Sequence, residues 1–207
     1  MSLTNYDEVA ENGYFIEYVT QSGYMPPWTP DHDYTTLLGE RFLTDEEKQA
    51  ISDWVEAGMP EGDPAQNPGL PEFPEGSQIG EPDLVLTMPE PYIHGGDGLE
   101  QYQVFIIPTE VTETKEIRAV EIRPSNNKIA HHGLIGYTAN PSSISAAAAL
   151  DALDSDVGYE SFGDYSVDVE DNLFGGWVPG SPPLMFPSTI GKLMEPGSQL
   201  LLQMHYG

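Results

Sequence analysis

The pattern of apolar and polar residues changes character near residue 83. From Asp83 onward, short apolar runs alternate with turn residues: "DLVLTM", "QYQVFIIP", "EIRAVEIRP", "KIAHHGLIGY", "YSVDVE", "GGWVP" and "SQLLLQMHY". Such runs, bounded by Gly, Pro, Asn or Asp, are typical of strands. Their close spacing favours an antiparallel sandwich or a jelly roll. We therefore predict a mainly β fold class, with an antiparallel jelly-roll or β-sandwich domain over residues 83–207.

Residues 1–62 have a helical pattern instead. The segment "LTNYDEVAENGYFIEYVTQSG" predicts a helix that ends at Gly23. Its spacing places Val9, Tyr14 (or Phe15), Tyr18 and Val19 on roughly one face.

A second helix is predicted by "LTDEEKQAISDWVEAGMPEGDP". Thr44 followed three residues later by Glu47 is a capping box, and Gly58 stands where a C-cap belongs. Its apolar stripe consists of Ile51, Trp54 and Val55.

Two further segments are less informative about function. Residues 63–82 are rich in Pro and Gly and lack periodicity, which predicts a linker between the two domains. The Ala-rich segment "SSISAAAALDALDSD" predicts a short helix on a loop, to which we assign no function.

The charge of the chain excludes some classes of partner. Acidic residues number 34 against 7 basic ones, a formal net charge of -27. Such a surface repels nucleic acids and anionic membranes, so we expect neither as a partner. No apolar run approaches the length of a membrane span, so we expect no membrane insertion of this segment.

The chain contains no cysteine. Disulfides, thiolate catalysis, Cys-ligated zinc, iron–sulfur clusters and covalent attachment of haem c are therefore excluded within it.

The five histidines, at positions 32, 94, 131, 132 and 205, carry the candidate chemistry. His131 and His132 are adjacent in a predicted strand, where neighbouring side chains point to opposite faces. One interpretation is a hydrogen-bonded core histidine beside an exposed one. The other is that both join His205, from a second predicted strand, on one metal ion. That requires a local bulge, which Gly133 would permit.

A site made of three imidazoles suits copper, zinc, iron or nickel and rejects calcium and magnesium. Met204 should face away from His205 on its strand and lie in the core. We expect His32 and His94, in predicted loops, to be ordinary exposed residues.

The segments "EIRPSNNKIAHHGLIGY" and "GGWVPGSPPLMFPSTIGKLMEPGSQLLLQMHYG" resemble the N-terminal domain of the copper type II, ascorbate-dependent monooxygenases, such as peptidylglycine α-hydroxylating monooxygenase. The resemblance covers about residues 83–207. It implies that His131, His132 and His205 bind the copper that stores and delivers an electron, with ascorbate or a cytochrome as electron donor.

Residues 1–62 resemble the distal part of a bacterial cytochrome c domain that is often fused to such a module. In that pattern the methionine of "YMPPW", Met25, would be the axial haem ligand. Since the Cys-x-x-Cys-His attachment motif is missing, we expect haem c in the parent protein and not in this chain. For this chain we expect Met25 to be a loop residue packed on Trp28.

The family's oxygen-activating copper is bound by a His-x-His pair and a methionine, and no His-x-His occurs here. We therefore assign no catalytic residue and expect this chain alone to be inactive. The expected partners are a C-terminal second-copper domain, an upstream haem segment and an unidentified small-molecule or peptide substrate. A non-catalytic copper-binding or electron-transfer module and a metal-free degenerate domain remain alternatives. The resemblance implies a periplasmic or exported protein.

Overall fold

The computed structural model describes residues 2–37, 39–67, 69, 76–96 and 98–207. It divides into two compact units, Met1–Pro71 and Glu72–Gly207. The division falls inside the segment 63–82 that the sequence predicts as a linker.

The first unit is helical. Its elements, in chain order, are α1 (Tyr6–Glu11), α2 (Gly13–Gln21), α3 (Asp45–Glu56) and a short 3₁₀ helix (Pro64–Gln66).

The segment predicted as one N-terminal helix forms two, because the chain breaks at Asn12. The Asn12 side chain donates a hydrogen bond to the Glu8 carbonyl oxygen (2.7 Å), which ends α1. Gly13 then starts α2 in a crowded position. A Cβ atom at Gly13 would lie 2.2 Å from the Met59 sulfur.

The predicted apolar face of the first helix is wrong for its aromatic residues. Tyr14, Phe15 and Tyr18 are exposed, whereas Val19 is buried. The physical reason is that α3 packs on the side of α2 that carries Val19. Gln21 Nε2 stabilises this contact by donating hydrogen bonds to Lys48 O and Ser52 Oγ, both 2.9 Å long.

The capping of α3 is confirmed. The Thr44 hydroxyl accepts a hydrogen bond from Glu47 N (3.2 Å), and the Glu47 carboxylate accepts one from Thr44 N (2.8 Å). Gly58 follows the helix with φ +83°, the left-handed conformation of a C-terminal glycine. Val55, from the predicted stripe, is buried.

The second unit contains nine strands and one helix among its described residues. They are β1 (Gln101–Pro108), β2 (Lys115–Ile117), β3 (Ala119–Val120), β4 (Ala130–Thr138), α4 (Pro141–Asp151), β5 (Tyr159–Glu160), β6 (Asp171–Trp177), β7 (Leu184–Met185), β8 (Lys192–Met194) and β9 (Gln199–Tyr206).

One antiparallel sheet organises this unit, with strand order β5-β1-β9-β4-β6. Two-stranded antiparallel ladders form between β2 and β8 and between β3 and β7. The mainly β, antiparallel fold class is therefore confirmed for this unit.

The five-stranded sheet buries apolar side chains on both faces. On one face, Ile107, Ile135 and Leu200 pack with Met194 of β8 and with residues of β2 and β3, which form a second layer as in a β-sandwich. On the other face, Val104 and Leu201 pack with Ala147 of α4 and with two tyrosines, Tyr159 and Tyr165. The predicted Ala-rich helix is confirmed as α4 and covers part of this second face.

Two of the predicted strands, "DLVLTM" and "YSVDVE", have no strand structure. Their apolar residues cover the sheet from irregular segments: Leu86 and Met88 pack against one core cluster, and Val167 and Val169 against the other. Apolar alternation in these segments reflects burial of side chains and not membership of a ladder.

Candidate metal centre

The adjacent histidines lie at a β-bulge at the start of β4. On β9, Tyr206 pairs with Ala130 of β4, and the preceding residue, His205, pairs with His132. His131, between Ala130 and His132, is therefore the extra residue of the bulge. His131 and His132 therefore both stand opposite His205. The extra residue turns the two neighbouring side chains towards the same face. The predicted distortion between Ala130 and Gly133 is confirmed.

The three rings converge, and each presents its Nδ1 atom to the other two. The distances between Nδ1 atoms are 2.9 Å for His131 and His205, 3.2 Å for His131 and His132, and 3.3 Å for His132 and His205. We call this group (His131, His132, His205) the histidine cluster. It is the set of side chains, among the described residues, that is able to hold a metal ion.

Hydrogen bonds among the three Nδ1 atoms cannot all form at once in the histidine cluster. A hydrogen bond between two ring nitrogens needs one donor and one acceptor, and each nitrogen has only one of these roles. Among three nitrogens in mutual contact, at least two must share a role, and that pair repels. A cation that takes a lone pair from each Nδ1 removes the conflict.

The size of the triangle also fits a first-row transition metal. The three distances place a common centre about 1.8 Å from each Nδ1, slightly inside the roughly 2.0–2.1 Å of a zinc–imidazole bond. Neutral imidazole suits copper, zinc, iron or nickel. The residues present therefore fit such an ion.

Burial favours the neutral form of two of these rings. Burial lowers the pKa of His132, and repulsion by His205 and His131 lowers it further. Burial likewise lowers the pKa of His205, with repulsion by His131 acting in the same direction. Metal ions bind the neutral imidazole, so both effects favour binding.

His205 is held by an aromatic ring on its neighbouring strand. Tyr102 of β1 pairs directly with His205. The two rings are parallel within 6°, with centroids 4.1 Å apart. Phe162, which is exposed, packs edge-on against Tyr102 with centroids 4.7 Å apart. These contacts restrict the orientation of the His205 ring.

Buried Gln203, two residues before His205, fixes the loop that carries Phe162. Its Nε2 donates hydrogen bonds to the Ser161 carbonyl (3.0 Å) and to the Asp164 carbonyl. Ser161 N in turn donates to the Tyr102 carbonyl (3.0 Å). The loop, Tyr102 and His205 therefore form one connected group.

Among the described residues, the second ring nitrogen of His205 has no hydrogen-bond partner. Its Nε2 atom is buried, and only 4% of the residue is exposed. Glu100 Oε2 lies 3.9 Å away, within ion-pair range but beyond hydrogen-bond distance. The Glu100 side chain is 71% exposed.

Gly133 has a different role from the predicted one. Its φ lies outside the left-handed region, so the bulge does not depend on the conformational freedom of glycine. A Cβ atom at this position would lie 2.7 Å from the sulfur of Met204. Gly133 therefore leaves room for Met204, which is buried in the core as predicted.

The remaining candidate residues lie apart from the histidine cluster. His32 is exposed, with Nδ1 3.2 Å from a Glu40 carboxylate oxygen and its ring stacked on Phe42. His94 is half-buried, so the expectation that it is exposed is wrong. Its Nδ1 accepts a hydrogen bond from Gly96 N, and its ring contacts Tyr206, which packs with the core.

Met25 lies in the helical unit, in the loop after α2. Its side chain is exposed, and its backbone N–H donates to the Val19 carbonyl (2.9 Å). Its part in haem binding and its packing on Trp28 stay predictions.

Sequence patterns did not indicate Glu100, Tyr102 or Gln203. Alternation along β1 places Tyr102 on the same face as Val104, but nothing local in the sequence specifies which residue of β9 it pairs with. The stacking of Tyr102 on His205 could have been predicted only if the register between β1 and β9 had been known.

The fold and the site together define a class: an antiparallel β protein with a three-histidine cluster at a strand bulge, suited to a transition-metal ion. Comparison with protein families, with curated proteins and with solved structures found no significant match to this chain. Within the described parts of the chain, every helix is too short or too polar to cross a bilayer.

Proposed function

We propose that this chain binds copper through the histidine cluster and is the electron-transfer half of a copper-dependent monooxygenase. The observation that supports the proposal most directly is the convergence of three Nδ1 atoms within 3.3 Å of one another. The resemblance of the two segments around His131, His132 and His205 to the copper type II monooxygenases supplies the choice of metal and of activity.

Copper bound by imidazoles would supply a centre that accepts and releases a single electron. The chain's own residues would enclose that centre on the side of His205 and leave it open on the side of His131. His205 is buried and held by Tyr102, whereas His131 is exposed. An electron donor, such as ascorbate or a cytochrome, would therefore approach from the side of His131.

Zinc is the main competitor for the same ligands, because three histidines and a water also make a zinc site. The two metals differ in what the protein could do, since zinc does not change its oxidation state. Competition between copper and zinc for the histidine cluster is for this reason part of the test below.

We propose that the β unit is a jelly roll of the monooxygenase type and that the helical unit is the distal part of a cytochrome c domain. The exposed aromatic face of α2 (Tyr14, Phe15, Tyr18) supports the second proposal, because it leaves apolar surface for a haem or an upstream segment to cover. This chain itself does not fit haem c: it has no cysteine for the attachment, and Met25 alone does not hold the group.

The oxygen-activating copper is likewise proposed for a separate C-terminal domain, because the sequence has no His-x-His. Substrate selection would belong to that domain, and the proposed location of the whole protein is periplasmic or exported. The alternative function is a copper-binding or electron-transfer module without oxygen chemistry. A metal-free structural domain is the third candidate, although the unsatisfied contacts among the three Nδ1 atoms disfavour it.

The binding test uses the chain after treatment with a chelator, followed by loading with copper, with zinc or with an equimolar mixture. Elemental analysis after desalting should find one copper per chain, and copper should displace zinc. His205→Ala should abolish stoichiometric binding, whereas His32→Ala, in the helical unit, should not change it. Copper binding that survives His205→Ala would contradict the proposal.

The monooxygenase assignment needs a second measurement, made on the full-length protein. Oxygen uptake that depends on ascorbate and is lost in His131→Ala would support it. Stoichiometric copper without such uptake would instead favour the electron-transfer module.

A further inference from the structure

The His205 ring needs a hydrogen-bond acceptor on its outer side. When Nδ1 of a neutral imidazole offers its lone pair to a metal, the proton is on Nε2. That nitrogen is buried in His205 and has no hydrogen-bond partner among the residues that the structure describes. Leaving a buried donor unsatisfied destabilises a protein. A native protein usually places an acceptor at such a position.

Glu100 is placed to be that acceptor. It immediately precedes β1 and stands two residues before Tyr102, so alternation directs it to the face that carries His205. Its Oε2 lies 3.9 Å from His205 Nε2. A normal hydrogen bond is about 2.9 Å long, so the carboxylate has to move about 1 Å. The Glu100 side chain is largely exposed, which leaves room for that movement.

We propose that Glu100 is a positioning residue of the metal centre, whose carboxylate accepts the Nε2–H of His205 in the metal-loaded protein. The inference rests on the proposed binding of copper by the histidine cluster. Histidines that bind metals commonly donate their second N–H to a carboxylate, which fixes the tautomer and makes the ligand a stronger donor. Glu100 would do this for the most buried of the three ligands.

The test compares two substitutions that each remove one negative charge. Glu100→Gln weakens the proposed hydrogen bond, whereas Glu110→Gln alters an exposed residue beyond the opposite end of β1. Copper affinity is measured by competition with a chromophoric chelator, after circular dichroism has shown that both variants are folded. We expect Glu100→Gln to weaken copper binding about tenfold and Glu110→Gln to leave it within about twofold.

A second readout separates positioning from a general effect of charge. In protein loaded with Cu(I), proton NMR should show the His205 Nε2–H as a slowly exchanging, downfield signal. Glu100→Gln should shift this signal upfield and speed its exchange, and Glu100→Asp should give an intermediate result.

The outcomes distinguish this inference from the proposed function. If wild-type protein binds no copper, the proposed function fails and this inference fails with it. If wild-type protein binds copper and Glu100→Gln binds it equally well with an unchanged Nε2–H signal, only the role of Glu100 is overturned. Equal weakening by Glu100→Gln and Glu110→Gln would also overturn it, because the effect would then be one of net charge.

Discussion

The rings of Tyr102 and His205, from paired positions on two neighbouring strands, are stacked with centroids 4.1 Å apart. This contact links the most buried ligand of the histidine cluster to the sheet that supports it. The tyrosine ring stacks on one face of the His205 ring and so restricts its rotation.

Tyr102→Ala should therefore weaken copper binding without unfolding the sheet. Aromatic pairs contribute about 0.5–1.5 kcal/mol beyond the area that they bury, which corresponds to about a 2- to 12-fold loss of affinity. Tyr102→Phe keeps the stacked ring and should bind copper like the wild type. Chelator competition on the three proteins is the measurement. Equal affinities for the alanine variant and the wild type would show that the stacking does not hold His205 in place.

Gly133→Ala should destabilise the β unit, because its new Cβ would meet the Met204 sulfur at 2.7 Å. Overpacking of this kind destabilises a core by about 1–3 kcal/mol. Gly176→Ala, on the adjacent strand β6, is a matched control: its Cβ would lie 3.5 Å from Leu134, an ordinary contact. Denaturant unfolding measures both variants.

A double substitution tests the cause of the Gly133 effect. Met204→Ala alone should destabilise by about 2–5 kcal/mol, because it leaves a cavity. The double variant Gly133→Ala/Met204→Ala should lose less free energy of unfolding than the two single variants together, since the new methyl group occupies the space that Met204 vacates. Strict additivity would mean that contact with Met204 is not the reason for the glycine.

Alkaline pH should destabilise the β unit through buried Tyr165. Burial, with repulsion from Asp171, raises the pKa of Tyr165 to about 12. The ionised form is therefore favoured by the unfolded chain, whose tyrosine pKa is about 10. The stability contributed by the neutral hydroxyl is present below pH 10 and is lost as the pH rises towards 12.

Tyr165→Phe should make that alkaline loss of stability shallower. At neutral pH the variant should be about 1 kcal/mol less stable, because the hydrogen bond from Tyr165 to the Asn172 carbonyl (3.0 Å) is gone. Denaturant unfolding at a series of pH values from 8 to about 11.5 measures both effects. Tyr34→Phe, at an exposed position of the helical unit, should leave the pH dependence unchanged.

Added salt should stabilise the whole chain, because the net charge of -27 repels itself. Raising NaCl to 1 M shortens the screening length to about 3 Å. We expect the melting temperature to rise by about 2–4 °C for each kcal/mol gained. KCl should act equally, and a melting temperature that does not respond to either salt would show that the acidic groups are far enough apart not to interact.

The local patterns in the sequence predicted those parts of the structure that depend on neighbouring residues. The cap of Thr44 and Glu47 and the Ala-rich helix α4 depend on local contacts along the chain, and both were correctly predicted. The bulge was predictable only from the hypothesis that both adjacent histidines share one metal ion, because a regular strand would direct them to opposite faces.

Contacts between distant segments were not predictable in this way. The pairing of Tyr102 with His205 joins residues about a hundred positions apart, and the register depends on the whole ladder. For the same reason the exposed side of α2 was misassigned: Tyr18 and Val19 are both apolar, and only the position of α3 decides which of them is buried.

The bulge at His131 makes the histidine cluster removable from the fold. Ala130 packs in the core, and His132 faces the other side of the sheet, as two consecutive residues of a regular strand would. A chain that lacked His131 alone would pair Ala130 with Tyr206 and His132 with His205 in unbroken register. His131 is thus a one-residue insertion into a complete ladder, and a single codon separates a sheet with a three-histidine cluster from one with a regular register.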